Sequence, residues 1–456
     1  MEVRSILFNF YFSFLFCSGC FIYATILVLQ FCNYFNQTIP QFSNQLYTLN
    51  LDVFSFQLDG VSISLIWLTS FICLLCLFYN YNAVGFSYAK YNFLLIVIEL
   101  ILICCFVVKN LLSFYVLFEA VLIPMFLLIG LGSRGRKIHA NYYFFFFTFA
   151  SSILLLLGVV FLYYLTGSLN FETFEVLNVS FLNRQLIFYV FFFGFAAKIP
   201  LLPLHIWLPE AHVEAPTIGS VILAAILLKL GAYGMYRVVF PFCDFALLQH
   251  AKLVVIPLLI LSTTLPALAA TRQIDLKKIV AYSSVVHMSF SLLGLFSQQG
   301  FGVQGFLFLL ISHGLISAAM FFCVGMLYDR FHTRNVVYYG GLVQFMPLFS
   351  IFYFLIIFSN MSFPGTCNFI GEFAVLYASF DSFGVISFLV IMFGLFATVL
   401  FCLILLYKVI FYQVSNFLTC NLRDLNFIEF IILSLLTCYI LLFGIMPNLL
   451  LSFFIL

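Results

Sequence analysis

Four charged side chains stand inside stretches that are otherwise apolar enough to lie in hydrocarbon. Glu119 sits in LLSFYVLFEAVLIPMFLLIG, Lys198 and Lys229 in FAAKIPLLPLHIWLPEAHVEAPTIGSVILAAILLKLGAYGMY, and Glu372 just after the interruption SFPGTCNFIGEF. At about 2.5–3.5 kcal/mol per charge on an insertion scale, four lipid-facing charges cost on the order of 10–14 kcal/mol, so all four are expected to face inward. Inward charges can fix helix packing as salt bridges or can carry protons. Buried pairs stabilise poorly compared with apolar replacements, and two lysines with one nearby acid do not pair off simply, which favours the proton relay. His287 (AYSSVVHMSF) and His313 (LLISHGLISAAM) also fall within apolar helices. Taken singly each reads as a hydrogen-bonded packing residue. His313 lies between Lys229 and Glu372 along the chain, and imidazole passes protons near neutral pH, so His313 is the expected link and His287 a secondary one. Glu99, in KYNFLLIVIELILICCFVV, has no obvious partner, and the sequence leaves it open between relay and either local capping or a protonated spectator.

These residues need helices to hold them, and two of the helices must be broken. Lys198 is followed at once by Ile199-Pro200, then by Pro203 and Pro209, and each proline removes an N–H and clashes with the turn before it. Pro364 interrupts the second run ahead of Glu372. Broken backbone at membrane depth is tolerated only where protein or a water-filled cavity surrounds it. An ionised Glu119 nearby favours the ammonium of Lys198, and its neutralisation or withdrawal favours release toward Lys229, His313 and Glu372. Moving one proton against about 180 mV takes about 4 kcal/mol, the equivalent of about 3 pKa units.

Composition sets the medium. Of 456 residues, 65% are hydrophobic and 7% charged, against about 25% charged in an ordinary soluble chain. This is an integral membrane protein with no polar block longer than a loop, hence one all-α membrane domain. A net charge of +2 offers no basic face for nucleic acid. Apolar runs long enough to cross about 30 Å fall at Ser5 to Phe31, then near 60–80, 90–108, 111–131, 139–165, 185–208 (broken), 214–240, 250–270, 279–297, 302–327, 345–380 (broken), 384–412 and 427–452. That predicts thirteen helices, or fourteen if the more polar stretch Asn33 to Asp59 hides another. An N-terminal segment and loop (1–59) thus precede a transmembrane domain (60–456).

Cations test the count. Loops on the side of Arg134, Arg136 and Lys137 also collect Lys90, Arg272, Lys277, Lys278, Arg330, Arg334, Lys408 and Arg423. The other side receives Lys109, Arg184, Arg237 and Lys252, so the cation-rich side is matrix or cytoplasm. Thirteen cysteines include the pairs Cys17-x-x-Cys20 and Cys73-x-x-Cys76, but both lie in apolar helical runs and the rest are scattered. They read as buried and inert. His205, Glu210, His212 and Glu214 spread over ten residues with two prolines fit no zinc or iron pattern, and His139 and His332 belong to loops. No dinucleotide fingerprint such as G-x-G-x-x-G after a strand is present, which argues against an oxidoreductase acting alone. Sixty-five phenylalanines suggest T-rich codons and an organelle genome. The start MEVRSILFNFYF is neither a transit peptide nor a cleavable signal.

A weak internal symmetry joins these features. The broken helix with Lys198 follows, two helices on, the one with Glu119, and the broken helix with Glu372 follows, two helices on, the one with His287. Inverted repeats whose discontinuous helices meet near the midplane are a transporter signature. Here they span about 90–240 and 250–412, with a C-terminal helix at 427–452.

KIPLLPLHIWLPEAHVEAPTIGSVILAAILLKLGAYGMYR, FYVLFEAVLIPM, DLKKIVAYSSVVHMS, SHGLISAAMFFCVGMLYDRFHTR and FPGTCNFIGEF together resemble the subunit-4 group among the antiporter-like membrane subunits of respiratory NADH:ubiquinone oxidoreductase, mitochondrial complex I. The resemblance runs from about Leu51 to the C-terminus. It implies a fourteen-helix antiporter-like fold in the membrane arm of the inner mitochondrial membrane, pumping protons as quinone is reduced in another subunit. It implies that Glu119, Lys198, Lys229 and Glu372 are relay residues with His313 linking the half-channels. It also implies no cofactor in this chain, with NADH, FMN, iron–sulfur clusters and ubiquinone bound elsewhere. The implied partners are neighbouring antiporter-like subunits, a lateral helix, supernumerary subunits and lipids such as cardiolipin. A larger relative carries lysine where Glu372 stands. The N-terminal region is a helix short of the group's pattern, and Lys109-Asn110 replaces an expected acidic residue. The rivals are a subunit of an Mrp-type sodium/proton antiporter and a purely architectural membrane subunit.

Overall fold

The computed structural model describes residues 2–35, 50–51, 54–81, 88–132, 135–171, 180–242, 245–413 and 423–454. Among them eleven helices are long and apolar enough to cross a membrane, and the shorter apolar helices Phe181–Ala196 and Pro347–Asn360 begin the two interrupted crossings. This gives the thirteen expected crossings; the stretch that could hide a fourteenth lies largely outside the described residues.

The chain begins with α1 (Glu2–Phe35), α2 (Gly60–Tyr81) and α3 (Tyr88–Val107). The fourth crossing is α4 (Leu111–Ala120), opened by the Asn110 side chain accepting from Leu112 N–H, and it continues past Val121 as α5 (Leu122–Gly130). A long α6 (Lys137–Thr166) returns across the membrane. The first broken crossing is α7 (Phe181–Ala196) and α8 (Trp207–Glu214), separated by turns. It is longer than the 185–208 predicted. Pro209, expected to prolong the break, instead occupies the first turn of α8, where its missing N–H has no intrahelical partner to lose. Next come α9 (Thr217–Ile222), a π-helical segment (Leu223–Leu227), α10 (Leu228–Gly234) and a second π segment (Met235–Val239), one crossing with two wide turns. The second half holds α11 (Phe245–Arg272), α12 (Leu276–Phe296), α13 (Gly300–Phe331) and a short α14 (Leu342–Phe345). The second broken crossing, α15 (Pro347–Asn360) and α16 (Cys367–Phe383), precedes α17 (Val385–Leu406), α18 (Phe427–Ile445) and the single turn α19 (Asn448–Leu451).

Helices apolar on every face are buried on every face. The crossing 217–242 and α13 are enclosed all round, and α2 and α12 nearly so, whereas most of α1 faces outward. Lys229, His287 and His313 therefore lie on the central helices. The outer helices present phenylalanine to the hydrocarbon, as at Phe93, Phe146 and Phe396. Charged groups pair at the ends. On the cation-rich side Arg330 forks onto Glu429 at 3.0 and 2.5 Å, and Lys278 meets Glu210 at 2.8 Å. On the opposite side Arg237 pairs with Asp59.

Candidate functional site

The first break puts Lys198 in the turns after α7. The Trp207 indole donates to the Ala197 carbonyl at 2.8 Å, and Ser262 of α11 accepts from the Leu202 N–H at 3.0 Å. Both bonds satisfy backbone groups that an unbroken helix would have satisfied itself. The Lys198 ammonium donates to the Phe118 carbonyl at 3.0 Å and lies 3.1 Å from the centre of the Phe118 ring. Glu119 is half-buried next to that carbonyl. Its carboxylate lies near Ser152 on α6 and within electrostatic range of Lys198, and its Oε1 has no hydrogen-bond partner among the described residues. The two charges thus sense one another without a direct ion pair, and backbone and ring hold the ammonium between them.

The π segment ends just before Lys229, and such wide turns recur at functional sites. The Lys229 ammonium donates to the Ala224 carbonyl at 2.7 Å and meets His313 Nδ1 at 2.8 Å, with the lysine side chain wholly buried. When Lys229 is protonated it can only donate, so His313 Nδ1 then accepts and the ring proton sits on Nε2. Two glycines permit this approach. A Cβ on Gly314 would lie 2.7 Å from Leu68 Cδ2 and 3.3 Å from the Ala225 carbonyl, so the bare glycine lets α13 pack tightly on both α2 and the π segment. A Cβ on Gly231 would lie 2.8 Å from Ile199 Cγ1 and 3.3 Å from Lys198 Cβ, which places α10 directly against the first break.

From His313 the polar file continues. Its ring lies 5.6 Å, centre to centre, from that of His287, and His287 Nδ1 is 3.0 Å from Glu372 Oε1. His287 Nε2 is buried without a partner among the described residues. Asn368, one turn before Glu372 on α16, is buried with neither amide atom partnered among the described residues. The structure therefore brings together Lys229, His313, His287 and Glu372, sets Lys198 against the helix that carries Lys229, and leaves Glu119 next to the Phe118 carbonyl that holds Lys198. His287, ranked second from sequence, is the residue that touches Glu372.

Glu99 stands apart. The Cys17 thiol donates to its Oε2 at 2.7 Å from α1, the other oxygen has no partner among the described residues, and Cys17, Cys20, Cys73 and Cys76 lie around it. Its surroundings are thiols rather than the residues of the file. No group of three metal-ligating side chains occurs among the described residues. Most described cysteines are buried as expected, but Cys104 and Cys438 are exposed, on outward helix faces; Cys32, Cys243 and Cys420 lie outside the described side chains.

Sequence reasoning missed a second polar group, nearer the cation-rich end. Lys277, counted as a loop cation, is wholly buried, with its ammonium donating to the Ala215 carbonyl at 2.8 Å and reaching Ser220 Oγ at 3.4 Å. His212 stacks on Phe321 at 4.6 Å with neither ring nitrogen partnered among the described residues, and Glu214 is buried two residues on. The signal was present: Lys277 shares a helix face with Val280, Ala281 and Ser284, while Lys278 turns outward to Glu210.

Discontinuous crossings with buried lysines and acids on one polar file define an antiporter-like membrane subunit. The chain belongs to the NADH:quinone oxidoreductase/Mrp antiporter transmembrane family, whose model matches residues 108–401. Within that family it is similar to NADH-ubiquinone oxidoreductase chain 4 of Acanthamoeba castellanii, 45% identical over 327 residues, which span 71% of this chain and 65% of that protein. It is 40% identical to the chain 4 of Metridium senile over 395 residues, 86% of this chain and 80% of that one. A chain of respiratory complex I from Thermus thermophilus with bound NADH superposes with a TM-score of 0.83 at 26% identity, over 100% of this chain and 99% of its own. A chain of the Mrp complex from Dietzia sp. DQ12-45-1b superposes with a TM-score of 0.84 at 18% identity, over 99% and 91%, and shares the fold.

Proposed function

We propose that this chain is a proton-translocating membrane-arm subunit of NADH:ubiquinone oxidoreductase, multi-pass in the mitochondrial inner membrane. The observation that carries the proposal is the buried file Lys229–His313–His287–Glu372, with Lys198 packed near Gly231 on the helix that carries Lys229. Glu119 acts on Lys198 through its charge. An ionised Glu119 holds the ammonium on the Phe118 carbonyl, and its neutralisation frees the proton toward Lys229. His313 accepts at Nδ1 and releases from Nε2, His287 passes the proton on, and Glu372 receives it. The group of His212, Glu214 and Lys277 forms the mouth toward the cation-rich side. Thr217 begins the same crossing as Lys229, which lies about 18 Å further along it.

In this proposal NADH, FMN, iron–sulfur clusters and ubiquinone are bound by other subunits, and the redox energy reaches this chain as a displacement of charge. The partners are neighbouring antiporter-like subunits, a lateral helix, supernumerary subunits and lipids such as cardiolipin. Changing Lys198→Ala in the assembled enzyme tests it: proton uptake coupled to NADH oxidation is expected to fall, and normal pumping with normal assembly removes Lys198 from the path. The shared Mrp fold favours one rival, a sodium/proton antiporter subunit. Sodium-driven transport without co-purifying flavin and iron–sulfur subunits would select it.

A further inference from the structure

An open groove of about 700 Å³ lies between α3 and α5, where both helices reach the cation-rich side. Its size falls within the range of about 300–1,000 Å³ typical of small-molecule sites. The walls are Phe93, Leu94, Phe126 and Leu127, with Gly130 at the end and Lys90 at the lip. Phe93 is 66% and Leu127 51% exposed, so the groove opens sideways into the hydrocarbon. The Tyr91 hydroxyl donates to the Leu131 carbonyl at 3.0 Å and ties one wall to the other. Lys90 is exposed and has no acidic partner among the described residues. Arg136 and Lys137 follow the groove's far wall at the start of α6.

We propose that this groove holds the acyl chains of an anionic phospholipid, with Lys90 against its phosphate. The inference rests on the membrane setting alone and does not depend on the proton path. Apolar walls below the headgroup level and an unpaired cation at that level match the two ends of such a lipid. A helix of a neighbouring polypeptide fits less well. Its flanks on this side of the membrane are enriched in Lys and Arg by the positive-inside rule, and they would meet Lys90, Arg136 and Lys137 with like charge. A single interfacial cation changes affinity for anionic lipid about fivefold.

The test uses the assembled membrane complex, delipidated and returned to nanodiscs of phosphatidylcholine and phosphatidylglycerol in equal parts, with retained lipid read by native mass spectrometry. Lys90→Gln is expected to lower retained phosphatidylglycerol about fivefold at this site and leave phosphatidylcholine unchanged. Leu127→Trp, which fills the groove from an exposed position, is expected to lower both. A photoreactive side chain at residue 127 is expected to capture lipid. Unchanged retention in both variants overturns the proposal, and so does capture of a neighbouring polypeptide at residue 127.

Discussion

Replacing His313 by leucine leaves the wholly buried Lys229 ammonium with the Ala224 carbonyl as its one remaining partner of two. A hydrogen bond to a charged group contributes about 1.5–3 kcal/mol, so the proton-loaded form of Lys229 becomes about 10- to 150-fold less populated. His313→Gln separates that loss from the relay itself. The glutamine oxygen can still accept from Lys229 but cannot take up a proton and release it from a second nitrogen. The assay is proton uptake per NADH oxidised in sealed proteoliposomes, with assembly followed on native gels and by thermal stability. The leucine variant is expected to lose uptake and some stability; the glutamine variant is expected to regain stability and not uptake. Wild-type uptake in the glutamine variant would refute the relay and leave His313 a packing residue.

Glu372→Gln keeps the shape facing His287 but removes the charge, and it is expected to assemble normally and lose proton uptake in the same vesicles. Gly314→Ala forces a Cβ to within 2.7 Å of Leu68 Cδ2, an overpacking worth about 1–3 kcal/mol; with every ionisable group intact, uptake should still fall because His313 is pushed away from Lys229. Glu99→Gln is expected to leave uptake unchanged, since Glu99 faces Cys17 and not the file; a drop in uptake would return it to the path. Arg330→Ala removes the cation from Glu429, whose side chain is 8% exposed, and leaves it the Asn426 N–H at the start of α18. Breaking such a pair costs about 3–5 kcal/mol, so the variant should reduce the amount of assembled complex on native gels, while the complex that does assemble pumps normally.

The helices, their order and the two breaks were legible in the sequence because they are local. A run of about 20 apolar residues satisfies its own backbone in hydrocarbon, and the closely spaced Pro200 and Pro203 and the Pro364-Gly365 pair mark its two interruptions, whereas the isolated Pro257 and Pro266 are carried inside α11. The ionisable residues were legible for the same reason, since each is costly where it sits. Their partners were not. Lys229 and His313 are 84 residues apart, and His287 and Glu372 are 85 apart; only the packing of α10, α12, α13 and α16 decides that they meet. Packing also decided the exceptions. Lys277 reads as a loop cation until α8 and α9 close over it, and Glu99 has no visible partner until α1 brings Cys17 to it. A side chain's cost of burial follows from its own chemistry, whereas what compensates that cost depends on which distant surface lands beside it.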